Sequence, residues 1–182
     1  MKEIRSIDKN DIVVAGLSAL ACLFALLKLP VWAVFIGWVW YLSLDSKPSI
    51  IRPVARTAVL SGGLAILAII LTDALSGLLT PMGANMAAVF VTILGVMILL
   101  KNPANAAMVS FNAFSCIFAG YYLGAFPVQE NYWLNLLTAF ACITGSNILG
   151  LFVAWLHLAL TAAWTKHSQH AAEHESQSLY EA

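Results

Sequence analysis

Six long apolar runs, at 12–27, 29–44, 54–72, 82–100, 103–126 and 132–164, take up most of this 182-residue chain. A helix needs about 20 apolar residues to cross the hydrocarbon core of a bilayer, within a range of roughly 17–25. Charged residues make up only 10% of the chain against 61% hydrophobic, and mean hydropathy is +0.85. A soluble domain carries nearer ~25% charge, because water must wet its surface. Hydrocarbon offers the backbone no hydrogen-bond partners, so a chain immersed in it satisfies its own N–H and C=O groups within helices. The expected fold class is all-α, a polytopic transmembrane helical bundle of about six spans. It divides into an N-terminal segment at 1–11, a transmembrane domain at 12–165 and a polar tail at 166–182.

The first two runs are short enough to be read as one helix. Pro30 argues against that, since it lacks a backbone donor and clashes with the preceding turn. Lys28 would also lie at mid-membrane in a fused helix, where charge is costly. A tight helical hairpin is expected instead. No small-x-small cleavage site follows the first run, because Leu27-Lys28-Leu29-Pro30 comes directly after it. The last run is longer than one crossing requires. Trp133 and Trp155 are about 33 Å apart on an ideal helix, close to the spacing of the two interfacial aromatic belts.

Basic residues set the orientation. With six spans, Lys2, Arg5, Lys9, Lys47, Arg52, Arg56, Lys101 and Lys166 fall on one side and Lys28 alone on the other. The positive-inside rule makes the crowded side cytoplasmic and puts both termini there. Two halves of three spans would enter the bilayer with opposite topology, a 3+3 inverted repeat. The internal echo between Gly83-Ala84-Asn85-Met86-Ala87-Ala88-Val89 and Pro103-Ala104-Asn105-Ala106-Ala107-Met108-Val109 is short, and small-residue bias alone can produce it.

Nine Lys plus Arg balance nine Asp plus Glu, so charge points to no nucleic-acid partner. Cys22, Cys116 and Cys142 lie in apolar runs without metal-ligand spacing and read as small apolar side chains. His167, His170 and His174 would share a helical face in the tail, but a solvated tail fixes no coordination geometry. No nucleophile–base set, phosphate-binding loop, metal motif or cofactor motif is present, and no enzymatic activity is expected.

Polar groups within the membrane are the default functional candidates. Asp73 and His157 fall near the outer and inner boundaries and read as interfacial ionisable groups. The deeper polar residues are Ser61, Thr92, Asn112, Ser115, Thr144, Ser146 and Asn147. On the fifth run, Asn105, Met108, Asn112, Ser115 and Ala119 form one stripe at helical spacing. Asn135, Thr138, Cys142, Gly145 and Ser146 do the same on the sixth, with Asn147 about a quarter-turn away. Counted from the cytoplasmic ends, Asn112 and Asn147 come to similar depth, where two amides can bond each other or line a solute path. Asn102 and Pro103 suit the cap and first position of the fifth helix.

The segment Leu29-Pro30-x-Trp32-Ala33-x-Phe35-Ile36-Gly37-Trp38-x-x-Tyr41, followed by Ser61-Gly62-Gly63, resembles the start of a group of short bacterial inner-membrane proteins. Asn102-Pro103-Ala104, with Phe114-Ser115-Cys116-Ile117-Phe118-Ala119-Gly120 after it, is similar to that group's second signature. The group is domain-of-unknown-function family 1097, and the likeness spans about 12–165. It implies a bacterial inner-membrane location and several helical spans, with no activity or site residues to carry over.

The polar stripes predict a small permease or channel passing a small uncharged or weakly polar solute. Conduction is expected to be passive, because no deep ionisable group stands out. The narrowness of six spans predicts a homo-oligomer within the lipid bilayer. The alternative is a non-transporting scaffold or accessory subunit, whose stripes are packing faces and whose tail docks a partner.

Overall fold

The computed structural model describes residues 7–99 and 106–180, without the side chains of 99, 106, 168 and 170–180. Regular structure among them is entirely helical. The helices are α1 (Lys9–Ala21), α2 (Val31–Ser43), α3 (Ile51–Leu75), α4 (Pro81–Leu99), α5 (Ala106–Tyr122) and α6 (Tyr132–Tyr180). Each sits on one of the six apolar runs.

Local chemistry accounts for the breaks. Asp8 starts α1 with a capping box: its Oδ1 accepts from the Asp11 N–H at 2.9 Å, and Asp11 Oδ2 accepts from the Asp8 N–H at 3.1 Å. A 3₁₀ stretch, Cys22–Leu27, extends α1 until Lys28 turns the chain in the left-handed region at φ 56°. Pro30 then opens α2. The expected break between the first two runs therefore occurs, with Lys28 exposed at its tip, but α1 and α2 pack on α6 more than on each other, so the hairpin is not a tight one. A turn with positive φ at Asp45 and Ser46 separates α2 from α3.

Four segments are long and apolar enough to cross a membrane: Lys9–Leu27, Pro48–Leu75, Pro81–Ile98 and Tyr132–His167. With 13 and 17 residues, α2 and α5 are shorter, about 20 and 26 Å against a core of about 30 Å. α6 continues unbroken from Tyr132 to Tyr180, so Gly145 and Ser146 introduce no break.

Side chains sort as they do in a protein dissolved in lipid. The interior is rich in Ala33, Ala58, Ala65, Ala68, Ala88, Ala139 and Ala154, whereas Leu20, Leu67, Phe90, Leu94, Phe111, Leu137 and Phe152 lie exposed. Small residues inside let helix backbones approach, which is how helices pack where no hydrophobic effect drives them together. Exposed apolar surface this widespread requires an apolar solvent. The molecule is a membrane-embedded helical bundle.

α6 is the spine. α2 lies along it, α1 touches its later half, and α3 and α5 pack on its flank; α3 in turn carries α4 and α5. The α2–α6 seam is closest at two glycines. A β-carbon on Gly37 would run into the Asn147 carbonyl oxygen, and one on Gly150 into the Val34 carbonyl oxygen. Both ends of the bundle can be followed by contacts. At one end Tyr132 Oη donates to Asp73 Oδ2 at 2.8 Å, and the Lys28–Trp32 turn shares a cleft with Ala125, Phe126 and Pro127. At the other, residues 7–10 share a groove with Thr161 and Thr165.

Candidate functional site

Two of the buried polar groups, Thr144 and Asn147, lie where α6 meets α3 and α5. Thr144 and Asn147, one helical turn apart, lie on the inner face of α6, at 5% and 2% exposure. A methyl on Gly62 of α3 would stand 3.0 Å from Thr144 Oγ1, which fixes the two helices at that depth. From α5, Cys116 Sγ accepts a long contact from Asn147 Nδ2 at 3.9 Å. Ser61 on α3 and Ser146 on α6 are fully buried.

Three of these hydroxyls, Ser61 Oγ, Thr144 Oγ1 and Ser146 Oγ, have no hydrogen-bond partner among the described residues. That is unusual for hydroxyls on membrane helices, which commonly bond the carbonyl one turn back. Thr92 does so here: though 2% exposed, its Oγ1 donates to the Ala88 carbonyl at 2.7 Å. Thr92 is thus satisfied by its own helix, and the three free hydroxyls stand among the unpaired polar groups of the interior, with Trp38 Nε1 and His157 Nδ1.

The pairing of Asn112 with Asn147 does not occur. Asn147 is buried, whereas Asn112 is exposed on the outer side of α5, its Nδ2 donating to the Met108 carbonyl at 2.8 Å. Ser115 is exposed on the same side. The reason is rotational: α5 turns Ala113, Cys116 and Ile117 inward, so its polar stripe faces away from the bundle. On α6 the buried face carries Ile143, Thr144, Asn147 and Leu151, and Gly145 lies outside it, exposed. Asn105 and the Asn102-Pro103-Ala104 segment lie outside the described residues.

Asp73 is exposed at the end of α3, bonded to Tyr132. His157, expected near the inner boundary, is enclosed by protein at 3% exposure. Its Nε2–H donates to Asn10 Oδ1 of α1 at 2.8 Å, and its ring lies 5.6 Å from that of Trp38 on α2. The amide oxygen fixes Nε2 as the protonated nitrogen and leaves Nδ1 as a buried acceptor with no partner among the described residues. Asn10 was not singled out by sequence because it precedes the first apolar run. Its one available signal was a polar residue one turn below the hydrophobic face. Among described residues no group of three or more His, Cys, Asp or Glu is placed to hold a metal ion; His170 and His174 fall among the side chains left undescribed.

Because α1 packs on no helix as extensively as on α6, the His157–Asn10 bond is a main anchor for it. His157→Phe keeps a ring beside Trp38 and removes the bond. Amide exchange in α1 is expected to rise roughly fivefold, as the loss of about 1 kcal/mol implies, with α3 unchanged. Exchange that stays the same in α1 shows that the bond does not hold the helix.

Lipid-facing apolar side chains around a tightly packed interior of small and hydroxyl-bearing residues define a polytopic membrane protein. The chain belongs to the family described as "Protein of unknown function (DUF1097)", whose match covers residues 11–155 and ends ten residues before the expected limit at 165. No curated protein matches the chain. No solved structure matches it either.

Proposed function

We propose that the protein is a small permease or channel of a bacterial inner membrane, passing a small uncharged or weakly polar solute down its gradient. In this reading the chain crosses six times, with both ends in the cytoplasm. Eight of the nine basic residues then lie on the cytoplasmic side. The co-location of residues 7–10 with Thr161 and Thr165, and of the Lys28–Trp32 turn with 125–127, fits helices that alternate in direction.

The helix pairing supports two inverted halves. Exchanging α1 with α4, α2 with α5 and α3 with α6 turns the α2–α6 seam into α5–α3, and the α1–α6 contact into α4–α3. The α3–α6 contact maps onto itself. The α5–α6 contact and the slighter α4–α5 contact are departures, because no α2–α3 or α1–α2 contact of like extent matches them. Transport proteins built this way bind their cargo where the halves meet, near mid-membrane. The observation that carries the reading is that Ser61 on α3 and Thr144 and Ser146 on α6, the two central helices, are buried hydroxyls without partners among the described residues. A hydroxyl-bearing, uncharged lining suits a solute that donates and accepts hydrogen bonds. Among the described residues the interior holds a buried histidine, His157, but it sits beside Asn10 at the start of α1 and away from the Ser61–Thr144 level. Passive movement therefore remains favoured over proton coupling.

The test is stopped-flow light scattering on proteoliposomes with water, glycerol, urea, short amides and ammonia. Flux above empty vesicles is the expected result. Thr144→Val sharpens it, since removing an unpartnered buried hydroxyl should stabilise the fold by about 1 kcal/mol while reducing flux. No flux for any solute, with folded protein confirmed, overturns the reading. A scaffold or accessory subunit is the second reading, favoured by the continuation of α6 to Tyr180, which presents a helix beyond the bundle for docking.

A further inference from the structure

One outward face of α5 is chemically unlike the rest of the exterior. Met108, Asn112, Ser115 and Ala119 succeed one another at three- and four-residue steps, and all four are exposed. Asn112 uses one amide hydrogen on the Met108 carbonyl of its own helix, at 2.8 Å. Its other N–H and its carbonyl oxygen remain open, and Ser115 forms no hydrogen bond to a described residue. Asn112 lies about 9 Å along α5 from Ala106, inside the apolar length of the helix.

Acyl chains suffice for the other outward faces. The cleft between α3 and α6, for instance, is lined by Gly63, Ile66, Ile70, Trp133, Leu137 and Phe140, and hydrocarbon fills such a surface at no cost. Hydrocarbon cannot hydrogen-bond a carboxamide, so polar side chains in membranes face protein or water. The α5 face therefore calls for a protein cover.

We propose that the α5 face of Met108, Asn112, Ser115 and Ala119 is the mating surface between two copies of this chain, with the Asn112 carboxamides bonded to each other. A second copy is the occupant that the chemistry selects. A carboxamide carries donor and acceptor together, and is thus its own complement. In a two-fold interface a residue near the axis meets itself. Two copies inserted in the same sense are related by an axis along the bilayer normal, which sets their α5 helices side by side in parallel. Ser115 and Ala119 are small enough to let them approach. The stripe carries no charge that would select an oppositely charged partner. The inference rests on membrane embedding and not on transport, so a protein that dimerises without conducting removes only the permease reading.

The experiment is oxidative cross-linking in native membranes, in a background of Cys22→Ala, Cys116→Ala and Cys142→Ala. Ser115→Cys, and Ala119→Cys as a second probe of the same face, are expected to give a covalent dimer. Leu137→Cys on the exposed side of α6 is expected to give none. Asn112→Leu should weaken self-association roughly 5- to 30-fold, read by dilution of fluorescently labelled protein in liposomes. Folded Ser115→Cys and Ala119→Cys proteins that stay monomeric, or a Leu137→Cys protein that cross-links equally well, overturn the proposal. Association unchanged in Asn112→Leu also overturns it, and a different protein cross-linked at Ser115→Cys would assign the face to that partner instead.

Discussion

Gly150→Ala is expected to destabilise the folded protein by about 3 kcal/mol or more, and Gly150→Leu to leave little folded protein in the membrane. The cause is backbone meeting backbone. A β-carbon at Gly150 would lie 2.8 Å from the Trp38 nitrogen and 2.9 Å from the Gly37 α-carbon, and closer still to the Val34 carbonyl oxygen. None of these atoms can rotate away as a side chain can, so α2 must move off α6. Even a gap of 0.5–1 Å forfeits roughly a quarter to a half of each contact's attraction. Those contacts hold Trp40 and Tyr41, which are 2% and 1% exposed. The same substitution at Gly63 or Gly145, where an added methyl meets nothing within 4 Å, should change stability by less than about 1 kcal/mol. Melting curves read by size-exclusion chromatography in detergent distinguish these outcomes. If Gly150→Ala melts like the parent, the α2–α6 seam is not as close as described. Gly37→Ala opens the same seam against Asn147, so the double variant should cost less than the sum of the singles.

That seam shows what the sequence could and could not convey. Helix positions were legible because the bilayer imposes length: each apolar run marks one helix, and Pro30 marks the break between the first two. Rotation about each helix axis was not. In a soluble helix the polar side faces water, so a stripe reveals its own direction. In a bilayer both sides of a helix are apolar, and a stripe at 108, 112, 115 and 119 has the same spacing whether it turns inward or outward. The structure turns it outward, parting Asn112 from Asn147, which counting depth alone had set together. Depth is a one-dimensional coordinate that sequence supplies well. Azimuth depends on which small residues permit a close crossing, and that is decided jointly by Gly37 on one helix and Gly150 on another, 113 positions apart in numbering. The cover over His157 was hidden for a related reason. Its depth was near a boundary, but α1 and α2 close over it, and depth says nothing about cover.

Asn147→Leu is expected to bring solute flux in proteoliposomes down to the level of empty vesicles while the protein still folds. Asn147 is 2% exposed, and its amide nitrogen reaches only Cys116 Sγ, at 3.9 Å, a weak acceptor at the limit of a sulfur contact. A side chain that serves structure alone would be expected to bond a nitrogen or oxygen at shorter range, as Asn10 Oδ1 does with His157 Nε2 at 2.8 Å. Leucine branches at the same carbon but is bulkier, so the interior must yield around it, and the loss in stability should stay within about 1–3 kcal/mol. For a solute between α3 and α6 the change is far larger: an amide that offers both donor and acceptor beside Thr144 becomes hydrocarbon, and a polar solute must shed its water against it. Flux and melting temperature, measured on the same preparation, separate the two roles. Flux lost with melting unchanged makes Asn147 part of a path. Flux retained with melting lowered by several degrees makes it a strut between α6 and α5, and moves the search for function away from the interior, toward the outer face of α5 and the helix that α6 extends beyond the bundle.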